Sequence, residues 1–225
     1  MTKSEVVQLL DGIVDRGAPI AANRTLALSR KVFNWAVAEG YLVINPASGI
    51  PMRARENVRR RTLSEAEILA LWRALDRLEG FESVTADTLK LLLLLGARVR
   101  EVTGMLRSEI TLDAGVPIWT LPAGRAKSGR DIPRPLPPLA LELIQRRLHE
   151  CPGSVFVFAS PADPAKPITS HAPTRALHRA ADRGLVPAGF SPHDLRRTCR
   201  TFWARLGIGE TVAKKILATL PRALT

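Results

Sequence analysis

Residues 193–198 read His-Asp-Leu-Arg-Arg-Thr, and their types and spacing suit one kind of chemistry. On a helix, His193 and Arg196 stand three residues apart and share a face, while Arg197 turns away. Arginine offers a planar, permanently charged fork to two phosphate oxygens, and histidine can move a proton near neutral pH. Such a pair fits a phosphoryl group. The same letters also describe a helix-start histidine with arginines facing solvent, and for this spacing alone that arrangement is the commoner one.

Two further stretches carry cations in telling places. In LLGARVREVTGML, residues 94–106, Arg98 follows a glycine break after a very apolar run, which predicts a guanidinium held near the core and in need of an anionic or carbonyl partner. Glu101, three residues on, also has the spacing of an ordinary surface ion pair. In GRAKSGRD, residues 124–131, glycines bracket a turn with Lys127 near its tip. Taken by itself, a basic hairpin of this kind is common.

The elements that must position these residues are mostly helical. ANRTLALSRKVFNWAVAEG, residues 22–40, places Leu26, Arg30, Phe33 and Val37 at helical steps, with Asn23 as the expected N-cap and Gly40 as the expected stop. Pro46 and Pro51 end that order. Residues 51–61, PMRARENVRRR, form a basic connector whose Arg53, Arg55, Arg59, Arg60 and Arg61 are expected to lie against phosphates; a solvated loop reads the same way. Ser64 and Glu67 have capping-box spacing, so a second domain is expected to begin there. A helix through TADTLKLLLLLGA follows, and Gly96 breaks it before another starts near Arg98.

The period then changes. EITLDAG, PIWTLPA and RDIPRPLP predict a small antiparallel sheet whose proline-bearing member sits at an edge. Helical patterns return from Pro138, and SVFVFAS, residues 154–160, reads either as a strand or as a turn-flanked loop. The fold class is therefore mainly α with a small antiparallel sheet, α+β.

Composition bounds the partners. The 225 residues carry a formal net charge of +12, which points to a polyanion such as nucleic acid, although a GC-rich genome gives the same arginine-rich bias. The longest apolar run, Leu91 to Leu95, is far short of a membrane span. The N-terminus mixes acids with apolar residues and has no small-residue cleavage site, so a cytoplasmic protein with no membrane partner is expected. Cys151 and Cys199 lie far apart without metal-ligand spacing, which predicts reduced thiols, no metal and no cofactor.

Taken in order, Arg98 with Glu101, then Lys127 on a strand turn, then His193 and Arg196 resemble the tyrosine recombinases, in particular the integrases of phages and prophages. The text that carries the likeness is LLGAR, AGRAKSGRDIPRPLP and FSPHDLRRT, and residues 22–50 look like the end of that family's core-binding domain. The resemblance implies three parts. Residues 1–50 would be part of a helical, SAM-like core-binding domain, 51–61 a basic linker, and 62–225 a catalytic-type domain. It implies site-specific, metal-independent breakage and rejoining of double-stranded DNA at attachment-type sites through a 3′-phosphotyrosyl link. Arg98 and Arg196 would bind the scissile phosphate, Lys127 would protonate the leaving 5′-oxygen, His193 would assist proton transfer, and Glu101 would orient the first arginine's helix. Arg197 and the connector arginines would touch the DNA backbone.

The sequence departs from the family in three places. Leu95 stands where threonine commonly precedes the glycine, and Thr219 stands where histidine or tryptophan is usual. The expected nucleophile has no counterpart, since Tyr41 is the only tyrosine and reads as a packing residue at a helix end. The reading is of an integrase cut at both ends and deficient in cleavage as it stands, with self-association or a partner subunit as a possible source of the tyrosine. The alternatives are a non-catalytic module competing for attachment sites and a decaying prophage remnant.

Overall fold

A computed structural model of the chain describes residues 1–55, 61–112 and 115–217. The chain divides into two compact units, Met1–Arg59 and Arg60–Thr225.

The first unit is a helical hairpin of α1 (Lys3–Asp15) and α2 (Pro19–Ala38). The Thr2 hydroxyl accepts from the Glu5 amide at 3.3 Å and the Glu5 carboxylate accepts from the Thr2 amide at 2.6 Å, so α1 starts on a full capping box. Val6, Leu10 and Ile13 of α1 bury against Ala22 and Leu26 of α2, closed by Ala47 and Ile50 from the following loop. Asn23 does not cap α2. The helix starts four residues earlier, on Pro19, whose fixed φ and missing N–H suit the first helical position. Asn23 is instead buried inside the helix, where its side chain donates to the Ala54 carbonyl at 2.8 Å and accepts from the Arg53 amide at 2.7 Å. Gly40, at φ 77°, stands just beyond the end of α2 as expected.

The second unit opens with α3 (Glu65–Asp76), whose capping box is the Ser64–Glu67 pair, and continues into α4 (Ser83–Leu95). Helix α4 is buried on nearly every side, with Val84, Leu89, Leu91, Leu92 and Leu95 all at 4% exposure or less. Each such side chain contributes about 1.5–3 kcal/mol, so α4 is the axis about which this unit packs. Around it stand α3, α5 (Val99–Thr103), α6 (Pro138–Glu150), α7 (Ala172–Asp182) and α8 (Pro192–Arg205).

The sheet has order β1-β2-β3, from Ile110–Thr111, Ile118–Leu121 and Ile132–Pro135, with both pairs antiparallel. Its proline-bearing strand β3 lies at the edge, where missing N–H groups cost no ladder bonds. The 154–160 segment contributes β4 (Ala159–Ser160), paired antiparallel with β5 (Asp163–Pro167), and Phe156 bridges Leu106. Helix α9 (Glu210–Leu217) packs against β3 and α8. Among the described residues, no helix is long and apolar enough to cross a membrane.

Candidate functional site

Gly96 ends α4 in the left-handed region at φ 57°, and the chain turns within two residues into α5, for which Arg98 is the N-cap. Glu101 sits one turn into α5. Its carboxylate accepts from the Arg98 amide at 3.0 Å and from Arg98 Nη1 at 2.7 Å. This is no surface pair, because Glu101 is 4% exposed and the Arg98 side chain 29%. The carboxylate lies inside and the guanidinium reaches outward from it.

A second arginine holds Glu101 from below. Arg134 on β3 is fully buried, donates from Nη2 to Glu101 Oε2 at 2.8 Å, and lies over the Trp119 ring with its Cζ 4.7 Å from the centroid. Its Nε donates to the Ile216 carbonyl at 3.0 Å. Burial pushes the Glu101 carboxyl up, but the charge of Arg134 and the bonds from Arg98 outweigh it, so Glu101 is held below its ordinary value.

Helix α8 brings the third guanidinium. Ser191 and Asp194 form its capping box, and Pro192 occupies the first turn. Arg196, 7% exposed, donates to the Gly96 carbonyl at 2.7 Å and to the Leu217 carbonyl at 2.6 Å. Burial, then repulsion from Arg98, pulls its pKa down to about 10, so it stays charged at neutral pH. His193 is exposed one turn earlier on the same helix. Lost hydration on its inner side, then the charges of Arg197, Arg196 and Arg98, lower its pKa, with Asp194 opposing. Buried Cys199 is a thiol pushed up to about 12 by burial, which leaves it without nucleophilic character.

The arrangement thus brings together Arg98, Glu101, His193 and Arg196. Glu101 balances the fully buried Arg134, and two further guanidiniums exceed it. A cationic cluster beside an imidazole whose pKa is lowered is suited to gripping a phosphate and passing a proton to or from it. Lys127 is exposed on the β2–β3 turn, and among the described residues it makes no hydrogen bond or ion pair. The turn itself is anchored by Arg125, which pairs with Glu109 and donates to the Glu101 carbonyl at 2.7 Å.

Sequence reasoning missed Arg125 and Arg134. For Arg134 a signal existed, since Ile132 and Arg134 alternate with Pro133 and Pro135 along β3 and must share its inner face.

The other arginines differ in their availability. Arg53 pairs with Asp11 at 3.0 Å, Arg61 with Glu67, and Arg197 with Asp194 at 2.8 Å, whereas Arg55 is exposed. Arg59, Arg60 and Thr219 lie outside the described residues. Tyr41 is 73% exposed, with its ring 5.7 Å from that of Trp35, so it caps an aromatic contact rather than packing into a core. Among the described residues, no group of three His, Cys, Asp or Glu side chains is placed to hold a metal ion.

A sequence model of the phage integrase family matches residues 61–218. No curated protein sequence matches the chain. Among solved structures, the chain resembles lambda integrase in a dimer bound to a COC′ core site, with TM-score 0.74 and 21% identity over 100% of this chain and 81% of that one. It resembles lambda integrase in a tetramer bound to a Holliday junction, with TM-score 0.75, 20% identity and coverage of 100% and 66%. It also resembles the Tn1549 transposon integrase in complex with circular intermediate DNA, with TM-score 0.73, 16% identity and coverage of 99% and 78%. At these identities the likeness is one of fold.

Proposed function

The chain belongs to the phage integrase family, the tyrosine recombinases, and from that premise we propose that it grips the scissile phosphate of double-stranded DNA at attachment-type sites. Arg98 and Arg196 bind the non-bridging oxygens, Glu101 orients Arg98, and His193 moves the proton. Lys127 comes to the leaving 5′-oxygen by movement of its turn. The observation that carries this reading is the convergence of Arg98 and Arg196 around the buried Glu101, with His193 beside them. A surplus of fixed positive charge stabilises the charge that grows on a phosphoryl group under attack, because it needs no rearrangement at that moment.

The Met1–Arg59 unit acts as part of a core-binding domain, with the exposed Arg55 against the DNA backbone. The similar lambda structures are a dimer and a tetramer on DNA, and by that likeness this chain self-associates on its site. The setting is cytoplasmic DNA of a prophage or another mobile element.

Strand cleavage needs a nucleophile, and the unit that carries this site contains no tyrosine. Tyr41, the only one, belongs to the Met1–Arg59 unit. These residues alone bind and hold the phosphate, and a tyrosine from a further segment or a second subunit completes the cut. Without it, the chain occupies the site without opening it.

Denaturing electrophoresis after incubation with a nicked duplex carrying the attachment site tests this. The 225-residue chain is expected to shift DNA under native conditions and to leave no covalent adduct. An adduct formed by this chain alone overturns the assignment of cleavage to a tyrosine from elsewhere.

A further inference from the structure

Arg134 does something that phosphate binding does not explain. It is fully buried, so no DNA phosphate can reach it, and stripping water from a guanidinium is costly unless its bonds repay it. Two of those bonds run to different places. Nη2 holds the Glu101 carboxylate at 2.8 Å, and Nε holds the carbonyl of Ile216 on α9 at 3.0 Å.

Arg196 repeats the pattern from the other side, with one nitrogen on Gly96 at the α4–α5 turn and another on Leu217 of α9. Two guanidiniums of one cluster therefore grasp adjacent carbonyls of α9. Leu217 is itself pressed on the same turn, since a Cβ added to Gly96 would meet its Cδ2 at 2.8 Å.

We propose that Arg134 is a positioning residue of the anion site, acting on Arg98 through Glu101, and that with Arg196 it couples the seating of α9 to occupation of that site. The inference rests on the phosphate-site reading and deepens it. Phosphate drawing on Arg98 and Arg196 tightens the same network that holds Ile216 and Leu217.

The test uses the whole chain with inorganic phosphate as the probe and two readouts. Occupancy is read from the NMR resonances of the His193 imidazole, and the seating of α9 from hydrogen exchange of its amides relative to those of α4. Arg134→Met is expected to weaken phosphate binding by about tenfold and to speed exchange in α9 while leaving α4 protected. Arg134→Lys is expected to recover much of the affinity, because an ammonium still pairs with Glu101. Its α9 amides stay fast, because a single ammonium replaces a fork with two arms.

Unchanged phosphate affinity in both variants overturns the inference, as does affinity recovering together with α9 protection in Arg134→Lys, which marks a packing role alone. Should Arg134→Met lose α4 protection and so fail to fold, Arg134→Lys decides by the same criteria. Absence of any His193 response in the unsubstituted chain contradicts the phosphate-site reading itself and takes this inference with it. A response in the unsubstituted chain with no change in the variants removes only the role of Arg134.

Discussion

Arg98 and Glu101 stand three residues apart, a spacing that sequence alone cannot tell from a solvent-facing helix pair. What separates the two is the depth of Glu101, set by Arg134 arriving from a strand more than thirty positions away. The three-residue step between His193 and Arg196 was legible, as was the need of Arg98 for a partner. The carbonyl partners of Arg196 were not, because Gly96 and Leu217 meet it only in the folded chain. The pH response follows from His193. Its pKa is lowered in the free protein by lost hydration and by Arg197, Arg196 and Arg98, so the ring gives up its proton at a lower pH than an ordinary imidazole. A bound phosphate adds negative charge beside it and raises that pKa. Binding then takes up a proton, and affinity must increase as pH falls through the interval between the bound and free values. Titration of sulfate, a phosphate analogue that stays a dianion across that interval, should show that rise, and His193→Gln should flatten it. A pH dependence unaltered by the substitution would show that another group is responsible.

Among the elements, those with local signals were readable. The Ser64–Glu67 box starts α3, the apolar run around Leu91 is the core helix α4, and the prolines of β3 stand at a sheet edge. Asn23 has the chemistry of a capping residue, but Pro19 begins the helix a turn earlier, and the burial of Asn23 against Arg53 and Ala54 depends on a loop distant in sequence. The turn between α4 and α5 is where element geometry bears hardest on the site. Gly96 combines φ 57° with room for no Cβ, since Leu217 Cδ2 would lie at 2.8 Å and Cys199 Sγ at 3.1 Å. Gly96→Ala should cost about 1–3 kcal/mol of stability, part from the left-handed backbone and part from the contact. Urea unfolding measures it. Adding Leu217→Ala should relieve the contact but not the backbone cost, so the double variant should lose less than the sum of the two single variants. Simple additivity would mean that α9 does not press on this turn.

At the scale of the whole molecule, the net charge of +12 was open to a reading of composition. Charge alone did not say where a polyanion would be gripped, because Arg53, Arg61 and Arg197 all have carboxylate partners. What singles out Arg98 and Arg196 is that the Glu101 carboxylate paired with Arg98 is already engaged by the buried Arg134, and Arg196 donates to backbone carbonyls that leave its charge uncompensated. The direct measurement is the affinity of the chain for duplex DNA across a range of salt concentrations, compared with Arg98→Ala. Each phosphate contact contributes about 0.9 to the slope of log affinity against log salt, so the variant should bind more weakly with a slope shallower by about one. Unchanged affinity and slope in Arg98→Ala would contradict the claim that this cluster holds a DNA phosphate.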